Sequence, residues 1–193
     1  MLNLFRKYVL LFSFAGTIIL FDQWTKAWVR SNIPFGEMWA PIPGLEDYFR
    51  IVHWRNTGAA FGMFQELSIV FTVLAILVSI AIIYYYPRIP STDWPLRLAL
   101  GLQLGGAIGN LIDRIFIGHV TDFISTFNFA VFNIADASIS TGVAVLVIGV
   151  WIKDRQEPEA SSNQEEDEKR QAADQDDPGF GKRESLSEEH WGD

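Results

Sequence analysis

The 193-residue chain has no cysteine. That excludes disulfide frameworks, thiol nucleophiles and zinc–thiolate centres. Its three histidines, His53, His119 and His190, are scattered and form no metal-ligand spacing. No serine sits in a G-x-S-x-G setting, and no glycine-rich phosphate loop occurs, so neither hydrolase-elbow nor nucleotide chemistry has a foothold. Acidic residues are scarce over most of the chain. From Asp154 onward there are 14 acidic and 5 basic side chains, leaving only 9 acids for residues 1–153. The acidic pI of 4.8 therefore describes the C-terminal tail and argues for no particular partner. Mean hydropathy is +0.16, which understates how apolar the body is for the same reason.

What remains is long apolar runs. Four have the length to cross a bilayer, which needs about 20 residues. Residues 67–86 carry no charge and end in a run of tyrosines suited to a membrane interface. Residues 8–24 follow Arg6 and Lys7 and run on without a small-residue cleavage site, which predicts an uncleaved anchor rather than a signal peptide. Residues 96–117 and 135–152 complete the set. The third contains Gly101, Gly105 and Gly109 on one helical face, where another helix can approach closely. Four spans put both termini on one side. Basic residues near the two ends are almost balanced, six against five, so orientation rests on Arg6 and Lys7, which favour cytoplasmic termini.

Residues 25–66 are expected to form a large outer loop with a β-like stretch from Tyr48 to Arg55, followed by a turn at Asn56 to Gly62. Residues 118–134 form a second, shorter loop. The tail, 154–193, is rich in Glu, Asp, Gln and Ser and is expected to be disordered. The predicted organisation is thus an all-α membrane domain, 1–153, with a small β-rich outer element, and an acidic tail, 154–193.

Four of the nine body acids fall at or beside membrane ends on one side: Asp22, Asp113, Asp122 and Asp136. Ionisable groups at such depth are functional candidates because desolvating them is costly. Each also has a structural explanation. Asp22 and Lys26 are spaced for an i,i+4 ion pair. Asn110, Asp113 and Arg114 share one helix face and suit a structural network. Asn56 sits in a glycine-rich turn where asparagine is common. Asn133 and Asp136 are spaced as N-cap and third helical residue, and Asp122 fits a surface loop. The functional reading is that two facing carboxylates cannot both ionise cheaply, so one stays protonated and donates to a carbonyl while the other takes a proton from water. A transporter or channel subunit, or a membrane scaffold, is the alternative. A conduit, however, needs polar residues through the membrane, and here they gather at one end.

Five segments carry a resemblance: Asp22-Gln-Trp-Thr-Lys26, Asn56-Thr-Gly-Ala-Ala-Phe-Gly62, Gly105 to Arg114, Gly118-His-Val-Thr-Asp-Phe123 and Phe132-Asn-Ile-Ala-Asp136. In order and spacing they resemble the motifs of lipoprotein signal peptidase, or signal peptidase II. The resemblance implies a four-helix inner-membrane aspartyl protease with a β-rich cradle. It removes signal peptides from prolipoproteins just before a diacylglyceryl-modified cysteine and is inhibited by globomycin. It further implies that Asp122 and Asp136 are the catalytic dyad. Asn56, Asn110, Arg114 and Asn133 line the site, and Asp22, Lys26 and Asp113 support it. It implies no metal, cofactor or nucleic acid, and a monomer that meets its lipid-bearing substrate within the membrane.

Overall fold

The computed structural model describes residues 2–57, 68–127 and 129–175. Helix α1 spans Leu2–Asn32, α2 Ser68–Tyr85, α3 Trp94–Phe116 and α4 Ile134–Gln175. Strands β1 (Met38–Trp39), β2 (Phe49–Asn56) and β3 (Val120–Thr126) form one antiparallel sheet in the order β1-β2-β3. The chain divides into two compact units, residues 1–149 and 150–193.

In the first unit, α1 and α3 run alongside each other because glycine lets them. A Cβ at Gly101 would lie 2.9 Å from Phe14 Cβ, and one at Gly105 would lie 2.9 Å from the Ala15 carbonyl oxygen. Gly106 faces α4 even more closely, where a Cβ would collide with the Ala135 carbonyl oxygen. The expected glycine face is present and serves two neighbours at once. Leu11, Ala15, Ile82, Tyr86, Ile89 and Leu104 form the bundle core.

Among the described residues, three helices are long and apolar enough to cross a membrane: Lys7–Asn32, Ser68–Arg88 and Ile134–Arg155. The expected span at 96–117 forms a helix of sufficient length, 23 residues. Its composition is less apolar because it carries Arg97, Asp113 and Arg114, and Arg97 and Asp113 are buried against the other elements.

Two expectations need correction. The outer loop does not begin at residue 25. Helix α1 continues to Asn32, since no Gly or Pro falls between residue 25 and Pro34, and Val29 and Ile33 bury against Phe123 of β3. The tail is not irregular from residue 154, because α4 extends to Gln175. Residues 154–175 are rich in Glu, Gln, Lys, Arg and Ala, all good helix formers, and the helix continues through Pro158 past the apolar segment. The expected disorder of 176–193 and most of the turn expected at 56–62 lie outside the described residues. The sheet, by contrast, gains a strand. Residues 120–126, read as part of a short loop, pair with β2 from Phe49↔Thr126 to Asn56↔Val120, with an irregularity between Ile51 and Trp54.

Candidate active site

The strand and helix ends bring the predicted residues to one place. Asp122 on β3 is 1% exposed and lies directly opposite Trp54 on β2. Asp136 is in the first turn of α4 and half-buried. Asn133 joins them. Its Nδ2 donates to Asp122 Oδ1 at 2.7 Å, and its backbone N–H donates to Asp136 Oδ2 at 3.2 Å. In return the Asp136 N–H donates to Asn133 Oδ1 at 3.0 Å. This is a reciprocal capping arrangement. The helix-cap reading of Asn133 and Asp136 is therefore correct, and it coexists with a shared site, because the cap residue is also the bridge to Asp122.

Three amides wire the acids. Asn110 Nδ2 donates to Asp136 Oδ1 at 2.7 Å, while its Oδ1 accepts from Lys26 Nζ at 2.9 Å and from Asn133 Nδ2 at 3.1 Å. An ammonium can only donate, so the Asn110 oxygen must face Lys26 and its NH₂ must face Asp136. The same logic fixes Asn133: the backbone N–H of Asp136 can only donate, so the Asn133 NH₂ points to Asp122. Asn56 Nδ2 donates to the other Asp122 oxygen at 2.9 Å. Burial, and next the negative charge of Asp136, push the Asp122 carboxyl up to about 7, with the Asn56 and Asn133 donors opposing.

Behind the amides lies a buried charge cluster. Lys26 is fully buried, 2.8 Å from Asp22 and 3.5 Å from Asp113. The expected i,i+4 pair is thus real, and it is also the base of the site. Asp22 Oδ1 accepts from the Ala135 N–H at 3.0 Å, tying α1 to the start of α4. Asp113 Oδ2 accepts from the Thr121 N–H at 2.9 Å, tying α3 to β3. Arg114 lines the site with Nη1 3.4 Å from the Asn110 carbonyl, and its guanidinium is 5.8 Å from the Phe71 ring centroid.

Two participants escaped the sequence reading. Gln23 Nε2 lies within hydrogen-bond distance of Asp22 Oδ2, the Gly109 carbonyl and Asp113 Oδ1. Arg30 Nη1 donates to Thr121 Oγ1 at 3.0 Å and sits 3.6 Å from Asp113. Their signal was present only as spacing: Gln23 follows Asp22 directly, and Arg30 lies one turn beyond Lys26.

Asn56, Asn110, Arg114, Asp122 and Asp136 open onto a cavity of about 500 Å³. Apart from Gln103 of α3, its other walls are apolar, with Phe71, Leu74, Ala75 and Val78 from α2 and Ile139 from α4. A paired-carboxylate site at the head of an apolar trough is suited to a polar bond carried on a greasy molecule. The signal peptidase II family model matches residues 14–152, which include every one of these side chains.

The chain belongs to the signal peptidase II family. It is similar to the lipoprotein signal peptidase of Anoxybacillus flavithermus, 40% identical over 157 residues that cover 79% of this chain and 92% of that protein. The lipoprotein signal peptidase of Halalkalibacterium halodurans is 40% identical over 153 residues, covering 77% and 96%. A solved bacterial membrane enzyme matches with a TM-score of 0.68 at 32% identity, covering 75% of this chain and 88% of that one. As a signal peptidase II family member the protein is a protease with membrane-suited helices. The acidic tail from 154 lies beyond the family match.

Proposed function

We propose that this signal peptidase II removes signal peptides from diacylglyceryl-modified prolipoproteins by an aspartic mechanism in which Asp122 and Asp136 activate water. The observation that carries this reading is the bridge of Asn133, which donates to both carboxylates at the mouth of the cavity. Asp122, with its carboxyl raised to about 7, supplies the proton to the scissile carbonyl oxygen. Asp136, at the positive end of α4 and facing the Asn110 NH₂, is the carboxylate that takes the proton of the attacking water. Collapse of the tetrahedral species breaks the C–N bond as Asp136 passes that proton to the leaving cysteine nitrogen, and a diol hydroxyl returns its proton to Asp122. Asn56, Asn110, Asn133 and Arg114 orient the pair, and Asp22, Lys26 and Asp113 hold the orienting residues.

The apolar α2 wall suits acyl chains, so substrate enters laterally as a monomeric enzyme's lipid-bearing guest. All four helices, α3 included, are read as spanning the bacterial inner membrane. Both termini are cytoplasmic, and the site lies near the extracytoplasmic face. The gathering of polar side chains at one end, with α2 free of charge, argues against a conduit. Residues 154–193 are an appendage to the protease domain, 1–153.

The test is cleavage of a lipid-modified prolipoprotein by purified enzyme in detergent. Asp122→Asn and Asp136→Asn each lower turnover by about 10³-fold or more while the protein stays folded. Near-normal turnover in either variant rules out the pair.

A further inference from the structure

The cavity contains one polar group that no step above uses. Gln103 lines it from α3, and its Nε2 is buried with no hydrogen-bond partner. A buried amide donor left unpaired costs stability, so such groups are uncommon without a reason. The side chain is also deliberately housed. Gly142 of α4 faces it, and a Cβ at Gly142 would lie 2.8 Å from Gln103 Cγ. The glycine makes a notch for the stem of Gln103, and the amide end is left at the cavity wall.

Position indicates what the amide meets. Gln103 lies seven residues before Asn110 on the same helix, which is about two turns and roughly 10 Å further down the trough. The neighbouring walls, Leu74, Ala75, Val78 and Ile139, offer it no acceptor. An acceptor at that depth must arrive with the substrate. On the reading proposed above, the substrate carries a glyceryl group on the sulfur of the residue after the scissile bond. From the scissile carbonyl carbon to the nearer acyl carbonyl carbon there are eight bonds: through nitrogen, Cα, Cβ, sulfur, two glyceryl carbons and the ester oxygen. At about 1.5 Å per bond, an extended path of that length reaches on the order of 10 Å.

We infer that Gln103 is a specificity residue whose amide N–H donates to an acyl-ester carbonyl of the substrate's diacylglyceryl group. The inference rests on the proposed substrate and site. Through this contact the enzyme recognises an ester-linked lipid rather than apolar bulk alone. A site built to satisfy a buried donor rejects a ligand lacking the acceptor more sharply than an apolar trough can.

The experiment compares two synthetic prolipoprotein peptides, one bearing a diacyl and one a dialkyl-ether glyceryl cysteine. It uses the full-length wild type and Gln103→Leu in detergent. Wild type cleaves the diacyl substrate with kcat/KM about tenfold above the diether, the size of one buried hydrogen bond. Gln103→Leu loses that factor on the diacyl substrate, cleaves both alike, and unfolds at a temperature no lower than wild type because an unpaired donor has gone. Equal wild-type cleavage of both substrates overturns the inference and leaves the dyad assignment standing. An equal fall on both substrates points to a peptide carbonyl and also overturns it, as does a lower unfolding temperature, which marks a structural amide. Failure of the dyad reading shows separately, as turnover by the two aspartate variants.

Discussion

Helices α1 and α3 bury a cation at each end of their shared interface, and the two are treated differently. Lys26 is fully buried between Asp22 and Asp113, with an amide oxygen as third partner. Arg97, 5% exposed, sends its hydrogen bonds to the Tyr86 hydroxyl at 3.3 Å and the Lys7 carbonyl at 3.2 Å, with the Tyr86 ring 4.9 Å away. One end is an ionic cluster locked to two asparagines; the other satisfies a guanidinium with neutral oxygens and a π face. The difference separates what a bundle needs to close from what a reaction needs to be held. Ionic clustering is found at the end where Asp122 and Asp136 lie, both bonded to Asn133.

Matched substitutions sharpen the contrast. Lys26→Met strips the counter-charge from two buried carboxylates and is expected to cost about 3–5 kcal/mol. Arg97→Met gives up neutral hydrogen bonds at similar volume and is expected to cost about 1 kcal/mol. Thermal unfolding in detergent measures both, and equal losses would erase the distinction. Next come the two ends of the glycine face. A Cβ at Gly109 would sit 2.8 Å from Asp22 Oδ2, whereas one at Gly101 meets only Phe14 and a backbone oxygen. Gly101→Ala and Gly109→Ala are each expected to lose about 1–3 kcal/mol by overpacking. Only Gly109→Ala also lowers turnover of the folded enzyme, by displacing Asp22 from Lys26.

The last effect is a slope. The Asp122 carboxyl, ordinarily at 3.8, is raised to about 7, so the folded state holds a proton that the unfolded chain releases. Its contribution is fully present below about pH 3.8 and is lost as pH rises towards 7. The unfolding temperature of wild type is expected to fall over that window. In Asp122→Asn the decline is shallower and the unfolding temperature at pH 8 is higher than in wild type.

Much of this was legible in residue patterns. The uncharged α2, the glycine spacing, the Asp22–Lys26 pair and the Asn133–Asp136 cap are local, and periodicity or a fixed offset reveals them. The capping pattern alone could not show that Asn133 also reaches Asp122, because that contact crosses from α4 to β3. Nor could β3 be read as a strand: Val120–Thr126 gains its structure by pairing with β2, some 70 residues earlier. Gln23 and Arg30 became participants only when α3 and β3 supplied Asp113 and Thr121. Gln103 was invisible for the opposite reason, since its significance is a partner it does not have.

The reciprocal cap at Asn133 has a further consequence, one of timing. The bonds that start α4 are the bonds that hold Asp136 in place and, through one more N–H, Asp122. During synthesis α4 is the last helix of the protease domain to emerge. A partly inserted chain that already possesses α1, the sheet strands and α3 therefore has its acids unaligned. On the proposed reading of Asp122 and Asp136 as the dyad, activity is expected only once α4 begins at the correct residue.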